Sequence, residues 1–252
     1  MKARTNKRQP KLRKGRLFSL IFLFLLLLLG CYYFLSLPIW SITNISINGA
    51  KILLPDEIKT LAAVPPGSNL FFTSLKRTRA NLKKISAIKN FSVYRIPPGT
   101  LLINVSEREP LATMVFSKKS VIIDKDGYIL NNNPNITLDI PNLVDLPVIT
   151  GFGGMNSREA DRVDEKSAQI AWDIITKLAK FFKAKSIKLN LGGMANMSFL
   201  LDDILQVKLG NAEEVDQKMK VFEALLPQIE NQWQQVEYVD VRYINNPVVK
   251  FR

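Results

Sequence analysis

Residues 17–37 read LFSLIFLFLLLLLGCYYFLSL, a run without a single charged side chain. As an α-helix this stretch is about 31 Å long, which is close to the thickness of the hydrocarbon core of a bilayer. The preceding segment, residues 1–16, is strongly basic and contains no acidic residue. Because basic flanks stay on the cytoplasmic side, the sequence predicts a cytoplasmic tail, one transmembrane helix at 17–37 and an extracytoplasmic remainder, the type II arrangement.

Two other interpretations of the apolar segment are open. A cleaved secretion signal has a shorter apolar stretch, of about 7–15 residues, and a small-residue cleavage site, whereas this stretch is longer and has no Ala-x-Ala ending. A lipoprotein signal would acylate Cys31, since residues 28–31 resemble a lipobox. Leu29 is large for that motif, and the chain stays apolar through 32–35 where lipoproteins turn polar. The pattern favours an uncleaved anchor.

The charge of the chain is mostly a feature of its N-terminal tail. The formal net charge is +13, but eight of the 35 basic residues precede residue 17, so the remainder carries 27 basic residues against 22 acidic ones. A nucleic-acid-binding face would combine basic with aromatic side chains, and the tail has no aromatic residue. We therefore expect no nucleic-acid partner.

The composition also argues against an enzyme. The chain has no histidine, and its one cysteine, Cys31, lies in the apolar segment. Ser-His-Asp and Cys-His nucleophiles, His/Cys zinc sites and intrachain disulfides are thus excluded. Carboxylate-only catalysis is still possible in principle, although we find no pair of acids placed for it. Asp124-x-Asp126-Gly127 is typical of a hairpin turn rather than a calcium loop, because the twelfth loop position is Asn135. The sequence predicts no cofactor and no metal site.

Hydrophobic periodicity predicts two regions after the anchor. Residues 40–108 have the order strand, helix, helix, strand, strand, which suits a three-stranded sheet with two helices on one face. Residues 111–252 consist of short strands interrupted by two apolar-striped helices, near 163–183 and after Asn211. Asn211, followed by Glu214, can cap the second of these helices. The fold class predicted is α+β: a transmembrane helix, a small β-α-α-β-β domain and a larger mixed β domain with two helices.

Local motifs support this layout along nearly the whole chain. They are Val105-Ser-Glu-Arg-Glu-Pro110, Asp124-Lys-Asp-Gly127, Leu146-Pro147 followed by Gly151, Val207-Lys-Leu-Gly210 before a helix carrying Lys218, and Tyr238-Val-Asp-Val-Arg-Tyr243 followed by Asn246-Pro247 and Val248-Val-Lys250. In this order the motifs resemble those of the bacterial cell-division FtsQ family, called DivIB in some lineages. The chain differs from the family pattern in a long 151–162 loop and in ending at Arg252.

The resemblance implies a POTRA-type domain at 40–108, an FtsQ-type β domain at 111–252 and a non-catalytic role. Such a protein would be a scaffold at the division septum of the bacterial cytoplasmic (inner) membrane. It would bind small single-span coiled-coil proteins of the FtsB and FtsL type and help to recruit and regulate septal peptidoglycan synthases. Two alternatives are a POTRA-containing component of outer-membrane assembly or secretion and a lipoprotein accessory of cell-wall enzymes.

The closing strands are the predicted partner-binding site. A terminal strand at a sheet edge exposes unpaired backbone groups, which proteins either guard with charge or use to add a partner strand. Lys250 and Arg252 are candidate guards, but the resemblance favours a docking edge. The residues predicted to bind the partner are Tyr238, Asp240, Arg242, Tyr243, Val248, Val249, Lys250 and Phe251.

Overall fold

The chain begins, in the part that the structure describes, with one long apolar helix. The structure is a computed structural model and describes residues 14–116, 119–152, 161–229 and 232–252. Helix α1 runs from Lys14 to Leu35. Its segment from Gly15 has a mean hydropathy of 2.5, and no part of this apolar stretch is buried within the protein. This confirms the predicted N-terminal apolar helix. Most of the predicted tail, residues 1–16, lies outside the described residues.

A three-stranded sheet with two helices follows. Its elements are β1 (Asn44–Asn48), α2 (Pro55–Ala62), α3 (Lys76–Lys83), β2 (Ile88–Ile96) and β3 (Thr100–Glu107), with the strand order β1-β3-β2. This is the predicted strand-helix-helix-strand-strand arrangement. The local chemistry of α2 explains its start, because Pro55 occupies the first turn and two carboxylates follow it at the positive end of the helix dipole.

The rest of the chain forms one mixed sheet. Its strands are β4 (Ala112–Phe116), β5 (Lys119–Ile123), β6 (Val148–Thr150), β7 (Ile187–Asn190), β8 (Met197–Leu201), β9 (Leu205–Gly210), β10 (Val236–Asp240) and β11 (Val248–Phe251). Their order across the sheet is β11-β10-β9-β8-β7-β6-β4-β5. The pairs β10–β9, β4–β6 and β6–β7 are parallel, and the other neighbouring pairs are antiparallel.

Two helices supply the core of this sheet. Helix α4 (Glu165–Phe181) and helix α5 (Val215–Ile229) bury their apolar stripes in the same cluster as alternate strand residues. Phe199 of β8 meets Phe222 of α5 edge to face, with ring centroids 5.4 Å apart. Asp164 caps α4 by accepting hydrogen bonds from the amide of Ser167, at 2.8 Å, and from the hydroxyl of the same residue. These two bonds, that of the hydroxyl first, hold the pKa of Asp164 below its usual value.

The cap expected for α5 is not formed. Asn211 lies four residues before the first residue of that helix, Val215, and its Oδ1 accepts a 2.7 Å hydrogen bond from Nζ of Lys218. Lys218 is almost completely buried. A buried ammonium needs hydrogen-bond acceptors, so Asn211 serves the lysine instead of the helix start.

The described residues form two compact units. One contains the residues up to Ser46 together with 65–75 and 93–102, and the other contains 47–64, 76–92 and 103–252. The predicted domain boundary near Pro110 therefore lies inside the second unit. There, the amide of Asp139 donates to the carbonyl of Ile52 at 2.8 Å. Arg108 binds Asp124 at 2.8 Å, where the aspartate is 4% exposed.

We expect fragments 40–108 and 111–252 each to unfold cooperatively, although both lose these contacts. The expected cost to each fragment is about 1–3 kcal/mol of unfolding free energy, because a lost partner leaves a buried polar group unsatisfied. Denaturant unfolding of each fragment, compared with residues 38–252, measures it. If neither fragment shows a cooperative transition, the predicted boundary is wrong.

Candidate partner-binding edge

Strand β11 lies at one end of the eight-stranded sheet, as expected for a terminal edge strand. Among the described strands it pairs only with β10. The strand at the opposite end, β5, is covered by the chain that follows it. There the amide of Leu130 donates to the carbonyl of Ile122 at 2.8 Å, and the amide of Ile122 donates to Oδ1 of Asn131 at 2.9 Å. Of the two ends of this sheet, β11 therefore offers the more open backbone.

The direction of the β11 amides follows from its register. Lys250 lies opposite Tyr238, and Val248 lies opposite Asp240. The amide of Val241, the residue directly after β10, donates to the carbonyl of Lys208 of β9 at 3.0 Å. Since alternate amides of a strand point to opposite sides, those of Tyr238 and Asp240 face β11.

The same alternation places two β11 amides on the outer side. The amide of Arg252 donates to the carbonyl of Gln235 at 2.8 Å and so faces inward. Lys250 and Val248 share its direction, whereas the amides of Val249 and Phe251 face away from β10. The edge thus presents two backbone donors, two residues apart, which is the spacing that an added antiparallel strand requires.

The side chains of β11 are partly occupied within the sheet. Val249 is half-buried and packs against the core, whereas Val248 and Phe251 are each 47% exposed. Nζ of Lys250 lies 2.7 Å from a carboxylate oxygen of Glu237, and this hydrogen bond raises the pKa of Lys250. Lys250, one of the two candidate guards, is therefore paired with a carboxylate of the neighbouring strand.

Tyr238 lies between two lysines on one face of the sheet. Nζ of Lys208 is 3.6 Å from the centre of its ring, and Nζ of Lys250 is 5.6 Å from it. Cation–π contacts of this kind hold an aromatic ring in place. These contacts fix the position of the Tyr238 ring on this face of the hairpin, beside the predicted partner-binding edge.

Arg242 and Asp240 form an ion pair within the chain. Nε of Arg242 lies 2.9 Å from Oδ1 of Asp240, and Nη2 lies 2.6 Å from Oδ2. Burial raises the pKa of Asp240, but hydrogen bonds from Arg242 and the charges of Arg242 and Lys208 outweigh it, so the pKa lies below its usual value. Arg242 must therefore share or exchange this carboxylate to bind an acid of a partner.

Tyr243 is the most exposed of the predicted partner-binding residues. Its side chain is 71% exposed, directly after the ion pair. It lines a shallow depression together with residues 244–246 and with two residues from the start of α5. Glu214 lies directly before that helix, and Gln217 lies in its first turn. Glu214 and Gln217 were not among the partner-binding residues predicted from the sequence. They are far from Tyr243 along the chain, and no local pattern connects them.

Gly210 is a third residue near the site that was not predicted from the sequence to belong to it. Its φ is +72°, and a Cβ atom built on it would lie 3.0 Å from Cγ of Arg242. A larger residue here would be strained by its backbone conformation and would push against the arginine stem. Gly210 thus allows the close approach of Arg242 to the end of β9.

The predicted residues therefore lie together on one edge hairpin, on both faces and in its turn. Within the described ranges, no group of three or more His, Cys, Asp or Glu residues is placed to hold a metal ion. The arrangement offers backbone donors, an exposed aromatic side chain and cations, which are the means of binding a polypeptide strand.

The fold and this edge define a membrane-anchored POTRA protein with a C-terminal mixed sheet. Two family models match the chain: "POTRA domain, FtsQ-type" over residues 40–108 and "Cell division protein FtsQ/DivIB, C-terminal" over residues 114–242. The chain belongs to the FtsQ/DivIB family, which confirms the resemblance seen in the sequence.

Similar curated proteins carry the same names. The cell division protein DivIB of Clostridium botulinum is 26% identical over 249 residues, covering 96% of this chain and 93% of the relative. FtsQ of Streptomyces collinus is 25% identical, covering 84% of this chain and 81% of the relative. DivIB of Clostridium acetobutylicum is 29% identical over 140 residues, and the match spans only half of that relative's length.

Proposed function

We propose that this chain is a non-catalytic scaffold of bacterial cell division, held in the cytoplasmic membrane at the septum by residues 17–37. Its β domain binds small single-span coiled-coil proteins of the FtsB and FtsL type, and it thereby helps to recruit and regulate septal peptidoglycan synthesis. Membership of a family named for cell division supports the cellular role. The open backbone of β11 is the observation that carries the mode of binding.

The partner adds a strand antiparallel to residues 248–251. The outward amides of Val249 and Phe251 donate to its carbonyls, and backbone pairing of this kind supplies affinity while neighbouring side chains set the register. Tyr243 lies in the hairpin turn, beyond the end of β11, and its ring contacts the side of the added strand. Two of the predicted residues thereby supply backbone donors to the interface, and a third supplies a side-chain contact.

The charge around the edge suits an acidic partner segment. Four cations, Lys208, Arg242, Lys250 and Arg252, lie at or next to this hairpin. They stand against three carboxylates, Glu214, Glu237 and Asp240, of which the last two pair with Lys250 and Arg242. Complementary charge accelerates association and selects among partners more than it adds affinity. We therefore expect the association rate to fall as salt concentration rises.

Recovery of partners from membranes tests the proposed function. The full-length chain, tagged at its N-terminus and crosslinked in cells, is expected to retain small single-span proteins with coiled-coil heptads. The reason is that the β11 edge pairs with an extended segment and its basic side chains favour an acidic one. In the proposed partners such a segment lies next to the coiled coil. Mass spectrometry of the retained proteins identifies them.

Two outcomes would contradict the proposal. Retention of outer-membrane barrel proteins instead would favour the assembly or secretion alternative. A mature protein that starts at a diacylglycerol-modified Cys31 would favour the lipoprotein alternative, and the mass of the purified intact chain decides this point. A chain that carries only the tag and residues 1–37 is the control for nonspecific membrane proteins.

A further inference from the structure

The loop at residues 67–73 is fastened to the segment that leaves α1. The amide of Ile42 donates to the carbonyl of Ser68 at 2.8 Å, and the amide of Leu70 donates to the carbonyl of Trp40 at 2.7 Å. These backbone bonds lie within one compact unit. They fix the loop directly beside the first residues after the apolar helix.

Asn69 connects this loop to the end of the helix itself. Its Nδ2 donates to the carbonyl of Leu35, the last residue of α1, at 2.7 Å. Its Oδ1 accepts from the amides of Phe71 and Phe72, at 2.9 and 3.2 Å. The last carbonyls of a helix lack intrahelical donors, and in an apolar medium an unsatisfied carbonyl is costly. Asn69 thus completes the helix end and positions two phenylalanines with the same amide group.

Aromatic contacts place these phenylalanines at the depth of the helix end. The ring of Phe72 lies 5.6 Å from that of Tyr32, and the ring of Phe71 lies 5.3 Å from that of Trp40. Tyr32 is inside α1, within a turn of its end at Leu35. Phe72 is nevertheless 52% exposed, so a large apolar side chain remains partly uncovered beside the predicted span.

We propose that residues 69–72 are a second membrane-contacting element, with Phe72 entering the outer interfacial layer of the bilayer beside Tyr32. The occupant of this surface is lipid, because the residue against which Phe72 packs belongs to the helix that spans the bilayer. Aromatic side chains are enriched at this depth. Ile39, just after the helix, is another exposed apolar residue, at 63%.

The consequence is a fixed orientation of this unit on the membrane. A domain joined only through one helix end can swing about the linker. Here the helix end, residues 40–42 and the loop are joined by hydrogen bonds, and the loop contacts lipid at a second point. The proposal does not depend on the identity of any protein partner.

Spin labelling of the full-length chain in phosphatidylcholine–phosphatidylglycerol vesicles tests the proposal. Cys31 is the only cysteine of the chain, and it is exposed on α1, so a nitroxide attached there is the lipid reference. A label at position 144, introduced by Val144→Cys with Cys31→Ser, is the water reference, because Val144 is 95% exposed. The test label is at position 72, from Phe72→Cys with Cys31→Ser.

Power saturation with oxygen and with a water-soluble nickel chelate reports the depth of each label. We expect nickel accessibility at position 72 to be several-fold lower than at 144, with oxygen accessibility close to that at 31. Nickel accessibility equal to that at 144 would overturn the proposal. Protection from both reagents would overturn it as well, because that result indicates burial against protein.

A matched pair of substitutions tests the role of Asn69. Asn69→Ala removes the bond to Leu35 and both amide contacts, so the label at position 72 should become more mobile and more accessible to nickel. Ser68→Ala removes only a local hydrogen bond to Pro65 and should leave the label unchanged. Equal spectra for the two variants would overturn the positioning role of Asn69.

Discussion

Val249→Pro should strongly weaken binding of the coiled-coil partner while leaving the protein folded. The amide of Val249 faces away from β10, so proline there removes no hydrogen bond of the hairpin. It does remove a donor to the added strand, and its ring blocks the approach of that strand. A buried carbonyl left unpaired costs about 1–3 kcal/mol, and with the steric block we expect binding to weaken by about 100-fold.

Calorimetry measures this change in affinity. The full-length chain, held in nanodiscs, is titrated with the purified partner. Val249→Ala is the matched control, since it shortens the same side chain and keeps the amide. Lys250→Pro is the opposite control, because that amide faces β10 and its loss should destabilise the hairpin itself. Wild-type affinity in the folded Val249→Pro protein would show that the partner does not pair with this edge.

The local elements of this chain could be predicted because their causes are local. Pro55 and the carboxylates after it start α2, and the apolar stripe of α4 repeats with helical periodicity. The end of β10 at Asp240 has a local cause as well. There the aspartate side chain accepts a hydrogen bond from the amide of Arg242, and such local bonds compete with a strand ladder.

The order of the strands and the contacts of the site could not be read from the sequence. Nothing local indicates that β10 pairs in parallel with β9, although this pairing sets which amides face the edge. The bond from Asn69 to Leu35 joins residues 34 positions apart. Glu214 reaches the depression beside Tyr243 only through the packing of α5. Such contacts arise from tertiary structure, and one sequence contains no pattern for them.

Tyr243→Ala should weaken partner binding by about 2 kcal/mol, or about 30-fold, if the ring is a hot spot of the interface. The ring combines apolar area with a polar tip, and its 71% exposure leaves most of it available to a partner. For the same reason the fold should lose little. A substitution at such an exposed site changes the unfolding free energy by about 0.5 kcal/mol or less.

Three variants separate binding from folding. Tyr243→Phe keeps the ring and isolates the contribution of the hydroxyl group. Tyr238→Ala removes a half-buried ring that lies 3.6 Å from Nζ of Lys208, so it should lower the unfolding free energy more than Tyr243→Ala does. Calorimetric titration with the purified partner and thermal unfolding, carried out on each full-length variant, give the two quantities. A Tyr243→Ala protein that unfolds would make this ring part of the fold, and one that binds with wild-type strength would place the interface away from it.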